Sequence, residues 1–387
     1  MSYFIEKDQH SEIKHKIYSD TLQASLSIAN IFNKQKSTYL LLDLYAGKGK
    51  FDDGSHGSPI VALETFQKAH KKIDNMPVHF VFIEKDEDSN EHLKQALTEY
   101  NQAQNLPNDI EIIVGKGEWG EFETNLQNKI AQSNWGFVFA DPFANEIDIS
   151  KFSELLTDSY TKDVMIFINL IAIKRQAGHQ QASKKIAAFL RISEAELKQL
   201  LNNQATKKEF LEYIKKAFSF SKKHFNLFAA IPTSRKNNGT NNLIHGDYFC
   251  LSCSTNSIGV ANAFLESYAD ALSINKDIQT GLFGAYEIET RINNYLQKEG
   301  EKSFHEIMGH AMEEFLSWKE KLPNEVPTSE NTLKIINQML DDKIIEIECP
   351  DEYLSKTKKL KTEAIRKNEN LKKIRIKLRQ KDPVEAV

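Results

Sequence analysis

The chain has 387 residues, of which 40% are hydrophobic, so it can bury one full core and a second, smaller one, and we expect two domains. No stretch reaches the roughly eighteen uninterrupted apolar residues of a membrane span, and the first residues carry charges where a signal peptide would be apolar. We therefore expect a cytoplasmic protein that has no membrane partner.

The use of cysteine agrees with a reducing compartment. Cys250, Cys253 and Cys349 are too few and too unevenly spaced for a disulfide framework. Cys250 and Cys253 form a CxxC pair, but a structural metal site needs a second ligand pair, and the sequence has only scattered histidines. We interpret both as small residues on a buried strand and expect no metal.

The net charge of −4 hides an uneven distribution of charge. Residues 356–381 contain twelve Lys or Arg and two Glu, so this segment carries +10 and the remainder of the chain −14. A basic tail on an acidic body favours an anionic partner, with nucleic acid first, because neutralising phosphates releases counterions. A solvated helix or a frayed terminus has the same composition, and composition alone favours neither.

The first half of the chain alternates between helical and strand patterns. Apolar spacing predicts a helix over 11–33, and Ser58-Pro59 begins another, with a capping residue followed by proline at the first helical position. Short apolar runs typical of buried parallel strands separate the helices. These runs cover residues 38–47, 78–86, 110–114, 135–143 and 164–171.

The pattern changes after the fifth strand. Residues 174–223 are helical and charged and are interpreted as an insertion that contains one capped helix, SEAELKQLLNN. Two adjacent strands follow at 225–233 and 246–255, and a helix at about 259–272 ends the domain. The predicted class is α/β: a Rossmann-like domain over 1–275, with a mostly parallel sheet covered on both faces and an antiparallel edge.

Residues 276–355 form a second predicted domain. Two amphipathic helices lead to a linker with two prolines, and a capped helix from Ser329 is followed by a short strand. This outline is compatible with a small winged-helix module and equally with a simple α/β appendage. In the basic tail, 356–387, the apolar residues have the spacing of a docked helix: Leu360, Ala364, Leu371, Ile374 and Leu378.

The first strand ends in a glycine-rich loop, Asp43-Leu-Tyr-Ala-Gly47-Lys-Gly49. Glycines at the carboxyl edge of a sheet let the backbone approach a cofactor, and a carboxylate can hold a cationic amino group, although two glycines also suit a plain tight bend. Eight residues separate Gly49 from Ser58, so no helix N-terminus meets a pyrophosphate as it does in dinucleotide folds. Asp43 instead precedes the glycines, where S-adenosylmethionine-dependent enzymes place an acid for the methionine end of the cofactor.

Two more acids follow later strands. Glu84 ends the second strand, where a carboxylate can accept hydrogen bonds from both ribose hydroxyls of a nucleoside. Its distance along the chain from the glycine loop is the one expected for that role. Glu118, after the third strand, is a candidate for the adenine amino group, and an ordinary loop acid has the same pattern.

Asp141-Pro142-Phe143 follows the fourth strand. Enzymes that methylate exocyclic amines of bases carry an acid or amide, two prolines and an aromatic residue there, so that oxygens accept the amine protons and the ring stacks on the base. Here the second proline is missing, and a strand end with a core phenylalanine has the same pattern. The order Asp43, Glu84, Asp141 favours the chemical interpretation, with Asp141, Pro142 and Phe143 as the catalytic group.

Several of these segments resemble the three-Cys-motif partner proteins, a bacterial group related to class I methyltransferases. The resemblance rests on SEIKHKIYSDTL, LDLYAGKGKFDDGSHGSPIVALETF, FVFADPF and DYFCLSCSTN, covers about residues 10–275, and is most specific in the AGxG...GSP arrangement. A more distant similarity is to ribosomal RNA adenine N6-methyltransferases, which also join a lysine-histidine N-terminal helix to a D-x-x-x-G-x-G loop.

The resemblance implies S-adenosylmethionine as the cofactor and a set of residues to hold it. Lys14 and His15 would close over it, and the other residues assigned to its site are Asp43, Ala46, Gly47, Gly49, Ser58, Glu84 and Glu118. Residues 141–143 would face the target base. The resemblance also implies a protein partner encoded nearby, similar to radical enzymes, and a role in phage or mobile-element biology.

Two functional hypotheses follow. In the first, the chain transfers a methyl group from S-adenosylmethionine to an amino nitrogen of a nucleic-acid base, with Phe143 stacking and Asp141 accepting hydrogen bonds. In the second, it is a nucleic-acid-binding partner or phage-defence component whose methyltransferase fold is non-catalytic or senses a ligand. Methylation of a protein or a small molecule remains open as a third alternative.

Overall fold

The computed structural model describes residues 9–32, 37–70, 76–107, 110–142, 162–169, 183–184, 186–187, 192–202, 225–232, 248–274, 284–312, 326–365 and 368–379. The chain divides after Ser267 into two compact units. In these ranges, no helix has both the length and the apolar character that crossing a membrane requires.

The first unit alternates helices with strands, as the sequence predicts. Its helices are α1 (Gln9–Phe32), α2 (Ser58–His70), α3 (Glu87–Gln104), α4 (Glu123–Gln132), α5 (Glu194–Asn202) and α6 (Ile258–Ile274), which contains the unit boundary. Its strands are β1 (Tyr39–Asp43), β2 (Val78–Glu84), β3 (Ile110–Lys116), β4 (Trp135–Ala140), β5 (Lys162–Asn169), β6 (Phe225–Pro232) and β7 (Tyr248–Thr255). Most of the predicted insertion lies outside the described residues, but α5 and its capping box between Ser193 and Glu196 confirm the capped helix.

The seven strands form one sheet in the order β3-β2-β1-β4-β5-β7-β6. Strands β1 to β5 pair in parallel, whereas β7 is antiparallel to both β5 and β6. This mostly parallel sheet confirms the predicted α/β class and the antiparallel late pair. Cys250 and Cys253 both lie on β7, and Cys253 is buried, as interpreted.

The register of the parallel strands determines which acids share a face of the sheet. Asp43 lies opposite Phe82 on β2 and Phe139 on β4. Because side chains alternate between faces, residues two positions beyond these phenylalanines leave the sheet on the same side as Asp43. Those residues are Glu84 and Asp141.

Helix α1 covers this face and runs antiparallel to the strands. Its Tyr18 ring stacks on Phe139 at a centroid distance of 4.2 Å, and its Ser25 hydroxyl donates to Asp163 at 2.6 Å. Asp163 belongs to the amino-terminal end of β5, so Ser25 marks the amino edge of the sheet. Lys14, eleven residues earlier along a helix that rises about 1.5 Å per residue, therefore reaches the carboxyl edge about 16 Å away.

The second unit combines helices with a small antiparallel sheet. In chain order it contains α7 (Gly284–Glu299), β8 (Lys302–Ser303), α8 (Phe304–Met312), α9 (Ser329–Asp341), β9 (Ile345–Glu348), α10 (Thr362–Ile365), α11 (Asn368–Leu371) and β10 (Arg375–Leu378). Strand β10 lies between β8 and β9 and is antiparallel to both. Thr328 caps α9 by accepting a hydrogen bond from the Asn331 amide, which confirms a capped helix followed by a short strand.

The structure does not show the predicted separate tail from residue 356. Residues 368–379 include β10, the central strand of the small sheet, and the apolar residues from Leu360 to Leu371 are buried with it. The helix predicted from the apolar spacing is wrong for residues 375–378. Ile374 and Ile376 are buried while Arg375 and Lys377 face outward, and this alternation is the period of a strand.

Gly136 provides a test of this sheet. A Cβ atom at this position on β4 would lie 2.4 Å from the Leu40 carbonyl oxygen of neighbouring β1. We expect Gly136→Ala to lower the free energy of unfolding by about 2 kcal/mol or more, because the backbone of a central strand cannot yield. Urea unfolding measures the change.

The matched control is Gly120→Ala, since a Cβ atom at Gly120 meets nothing within 4 Å. We expect it to change stability by less than about 0.5 kcal/mol. Equal stability of the two variants would contradict the close approach of β1 and β4.

Candidate functional site at the carboxyl edge of the sheet

The glycine loop continues the sheet beyond the end of β1. The Leu44 amide donates to the Phe139 carbonyl of β4 at 3.1 Å, and the Ala46 amide donates to the Ile83 carbonyl of β2 at 3.0 Å. Gly47 follows with φ +62°, a left-handed conformation that favours glycine. The loop is therefore held between the ends of the strands that carry Glu84 and Asp141.

Asp43 is fully buried at the base of this loop. Its carboxylate accepts hydrogen bonds from the Ser58 hydroxyl at 2.7 Å and from the Tyr45 amide at 3.1 Å. Burial raises the pKa of Asp43 to about 7 against the effect of these two hydrogen bonds, and the charges of Asp141 and Glu84 raise it further. No cationic side chain of the described residues pairs with Asp43, so a cationic group of a ligand would stabilise its ionised form.

Glu84 converges on the same loop from β2. It is 8% exposed and accepts hydrogen bonds from the Gly47 amide and the Asp86 amide, each at 2.8 Å and each through a different carboxylate oxygen. Each oxygen has a second lone pair, so both can still accept from a hydroxyl group. Asp43 and Glu84 thus contact the same backbone segment, and their roles in holding a cofactor stay a prediction.

Residues 49–57 form a small hairpin that leads into α2. The Gly57 amide donates to the Gly49 carbonyl at 2.8 Å, and Lys50 bridges to His56. Gly49 has φ +77°, and a Cβ atom there would lie 3.0 Å from Leu93 of α3. The helix begins at Ser58, after eight intervening residues, as the sequence predicts, and the Ser58 hydroxyl donates a hydrogen bond to Asp43.

The loop after β3 packs an aromatic residue, Trp119, against the glycine loop, a contact that the sequence did not predict. Trp119 is 6% exposed, and its indole Nε1 donates to the Tyr45 hydroxyl of the glycine loop at 3.1 Å. The preceding Gly117 has φ +138° and donates its amide to the Glu84 carbonyl at 3.1 Å. Glu118 lies between them with an exposed side chain, and its proposed contact with adenine stays a prediction.

Asp141 is paired with a residue of the N-terminal helix. The Lys14 ammonium lies 2.6 Å from Asp141 Oδ2 and 4.6 Å from the centroid of the Phe167 ring. The two charged side chains are 16% and 34% exposed, so the pair is partly shielded from water. The next residue, His15, lies near Phe51 of the hairpin, with ring centroids 6.3 Å apart. Pro142 is buried, and Phe143 lies outside the described residues.

Tyr18 is the second residue that the sequence analysis passed over. Its ring is fully buried, and its hydroxyl has no hydrogen-bond partner among the described residues. Burial raises the pKa of Tyr18 well above its usual value, and the charge of Asp43 adds to the shift. Buried hydroxyls nearly always have a hydrogen-bond partner, so the Tyr18 hydroxyl is unusual. In the sequence, the signal for it was a tyrosine among the aliphatic residues of α1.

The comparisons with solved structures give matches of low similarity. No family model and no curated protein matches the sequence. A crystallised protein of Legionella pneumophila is 12% identical, with a TM-score of 0.35, over 63% of this chain and 84% of its own. An arsenic(III) S-adenosylmethionine methyltransferase from Chlamydomonas reinhardtii is 11% identical, with a TM-score of 0.27, over 56% and 62%. Loganic acid methyltransferase with S-adenosylhomocysteine is 12% identical, with a TM-score of 0.30, over 81% and 94%.

The buried Asp43 predicts an unusual dependence of stability on pH. Its folded pKa of about 7 lies above the usual value of 3.8, so the folded protein keeps a proton that the unfolded chain releases. This favourable contribution is complete below about pH 4 and is lost as the pH rises through about 7. Asp43→Asn removes this pH dependence. We therefore expect the free energy of unfolding of the variant, relative to that of the wild type, to be a few kcal/mol higher at pH 8 than at pH 4, as measured by urea unfolding at both values.

Asp86→Asn is the control with the opposite sign. Asp86 is exposed, and hydrogen bonds from Ser89 lower its pKa. Asp86→Asn therefore gains no stability over the wild type as the pH rises. If Asp43→Asn differed from the wild type equally at both pH values, the buried ionised carboxylate would be contradicted.

Proposed function

We propose that this chain is an S-adenosylmethionine-dependent methyltransferase that acts on an amino nitrogen of a nucleic-acid base. The observation that carries the proposal is the convergence of Asp43, Glu84 and Asp141 on one loop at the carboxyl edge of the sheet. Parallel α/β sheets bind their ligands at this edge.

The residues around the loop fit the cofactor by their chemistry. Asp43 is a buried carboxylate that matches the cofactor's α-ammonium group, and Glu84 keeps lone pairs for ribose hydroxyls. Gly47 presents backbone without a side chain, so a ligand can approach it closely. When bound, the cofactor would supply an electrophilic methyl group on a sulfonium.

Asp141 is placed to act on the acceptor. Its carboxylate already accepts an N–H donor, the Lys14 ammonium, and so can accept the N–H of an acceptor amine in the same way. The cofactor would supply the methyl group, its methyl–sulfur bond breaking to leave S-adenosylhomocysteine as the acceptor nitrogen bonds to the methyl carbon, and Asp141 would take the proton that this nitrogen releases. The ring of Phe143 would stack on the base, as proposed from the sequence.

The choice of nucleic acid and the biological setting rest on the sequence. The motifs resemble three-Cys-motif partner proteins and, more distantly, adenine N6-methyltransferases, and the chain has a basic segment at 356–381. We extend the proposal to membership of the first group, with a partner protein encoded nearby and a role in defence against phage or mobile elements.

Cofactor binding gives the first test of the proposal. Because Asp43 must be ionised to pair with the ammonium group, we expect affinity for S-adenosylmethionine to rise roughly five- to tenfold from pH 6 to pH 7.5. Asp43→Asn should bind weakly at every pH, and Asp88→Asn on exposed α3 should behave as the wild type. Isothermal titration calorimetry measures all three, and pH-independent wild-type affinity would argue against the role of Asp43.

A labelled-methyl assay on separate DNA, RNA and protein substrates gives the second test. We expect Asp141→Ala to abolish transfer while its cofactor affinity in calorimetry stays unchanged, because Asp141 serves the acceptor. Equal loss of binding and transfer would contradict this assignment. Label that enters protein alone would refute a nucleic-acid acceptor.

One observation favours the second candidate, a non-catalytic partner or ligand sensor. Lys14 occupies the Asp141 carboxylate and lies over Phe167, so an acceptor amine must displace it. Lys14→Met separates the candidates. If the chain is an enzyme, this variant transfers methyl groups at a lower acceptor KM, whereas a sensor binds cofactor but labels nothing with or without Lys14.

A further inference from the structure

We propose that the second unit is a winged-helix-like module whose turn 355–359, the wing turn, contacts the backbone phosphates of nucleic acid. This inference rests on the proposed action on nucleic acid and names the surface that holds it. In chain order the unit has helix α7, strand β8, helices α8 and α9, strand β9, the turn, the short helices α10 and α11, and strand β10, which lies between its two antiparallel neighbours.

The wing turn has a defined backbone. Leu354 bridges to Leu360, the Ser355 amide donates to the Lys359 carbonyl at 2.7 Å, and the Lys358 amide donates to the Ser355 carbonyl at 2.9 Å. Lys358 has φ +58°, a conformation that is uncommon for a lysine. The turn therefore presents Lys356 and Lys358, both exposed, from an ordered tip.

The wing turn is attached to α9. The Asn337 amide both accepts from the Leu360 amide at 2.9 Å and donates to the Leu360 carbonyl at 3.1 Å. Lys359 pairs with Asp341 of the same helix at 2.6 Å. The positions of Lys356 and Lys358 relative to α9 are thus held by three contacts, so less ordering entropy is lost on binding.

The basic residues of this segment divide into two groups. Some are neutralised within the unit: Lys359 by Asp341, Lys377 by Glu346, and Arg375 by Glu301 and Glu306. Lys356 and Lys358 have no acidic partner among the described residues, and the same holds for Lys361, Lys372, Lys373 and Arg379. The strand cations Arg375 and Lys377 are therefore neutralised within the unit, whereas the wing turn keeps its positive charge for an external anion.

Helix α9 does not compete for this role. Its exposed Lys334 pairs with Glu330 at 3.0 Å, and Asp341 pairs with the wing, so the helix adds no excess positive charge. An evenly spaced polyanion with one phosphate charge per about 1.7 Å of duplex suits two neighbouring lysines on a fixed turn. The charge of the wing turn therefore fits a nucleic-acid backbone.

The test is fluorescence anisotropy of the full chain with a labelled 24-bp DNA duplex, without S-adenosylmethionine, over a series of salt concentrations. We expect K356Q/K358Q to weaken binding roughly tenfold or more at 0.1 M salt and to reduce the slope of log K against log salt by about 2. K298Q/K334Q removes the same charge from exposed, paired lysines of the same unit and should leave both quantities unchanged.

K358G separates binding from folding. Glycine adopts φ +58° without strain, so urea unfolding should show no loss of stability while affinity for the duplex falls. Equal effects of K356Q/K358Q and K298Q/K334Q, or no effect of the former, would overturn the inference. Stronger wing-dependent binding to phosphatidylserine vesicles than to the duplex would overturn it in favour of a membrane.

Failure here is distinguishable from failure of the proposed function. The measurement contains no methyl donor, so its outcome does not depend on whether the chain transfers methyl groups. A wild type that methylates nucleic acid but shows no wing-dependent affinity refutes the wing turn alone. A wild type with wing-dependent affinity that transfers no methyl group refutes the enzyme alone.

Discussion

The site depends on one buried carboxylate at the end of the first strand. Asp43 is fully buried, is held by the Ser58 hydroxyl and the Tyr45 amide, and has a pKa near 7 because burial disfavours its charge. A carboxylate kept in this environment is a local cost to the fold. Such a cost is typical of a functional position, since a well-packed apolar residue would stabilise the sheet more.

The neighbouring elements are arranged around this group. Glu84 accepts a hydrogen bond from the Gly47 amide, so it orders the same loop that Asp43 anchors through the Tyr45 amide. A substitution at either acid therefore alters the same stretch of backbone.

The N-terminal helix is part of the site and not an appendage to it. Its buried face packs on β4 through Tyr18, its middle is fixed at the amino edge through Ser25, and its first turns bring Lys14 to Asp141. Because the helix is rigid over this distance, a substitution at Ser25 can alter the position of Lys14. Access to Asp141 is thus controlled by a side chain of the protein itself.

The sequence by itself determined the class of fold and most strand positions, because short apolar runs bounded by Gly, Pro and charged residues fit few structures other than buried strands. It also predicted that Asp43, the two loop glycines, Glu84 and Asp141 lie together, since residues that directly follow parallel strands meet at one edge of the sheet. Only the tertiary structure paired Lys14 with Asp141 and brought Trp119 to Tyr45, because these partners are distant in sequence and depend on helix packing. It also decided that residues 375–378 form a central strand, since the period of a four-residue segment cannot be distinguished from a helix until its partners β8 and β9 are in place.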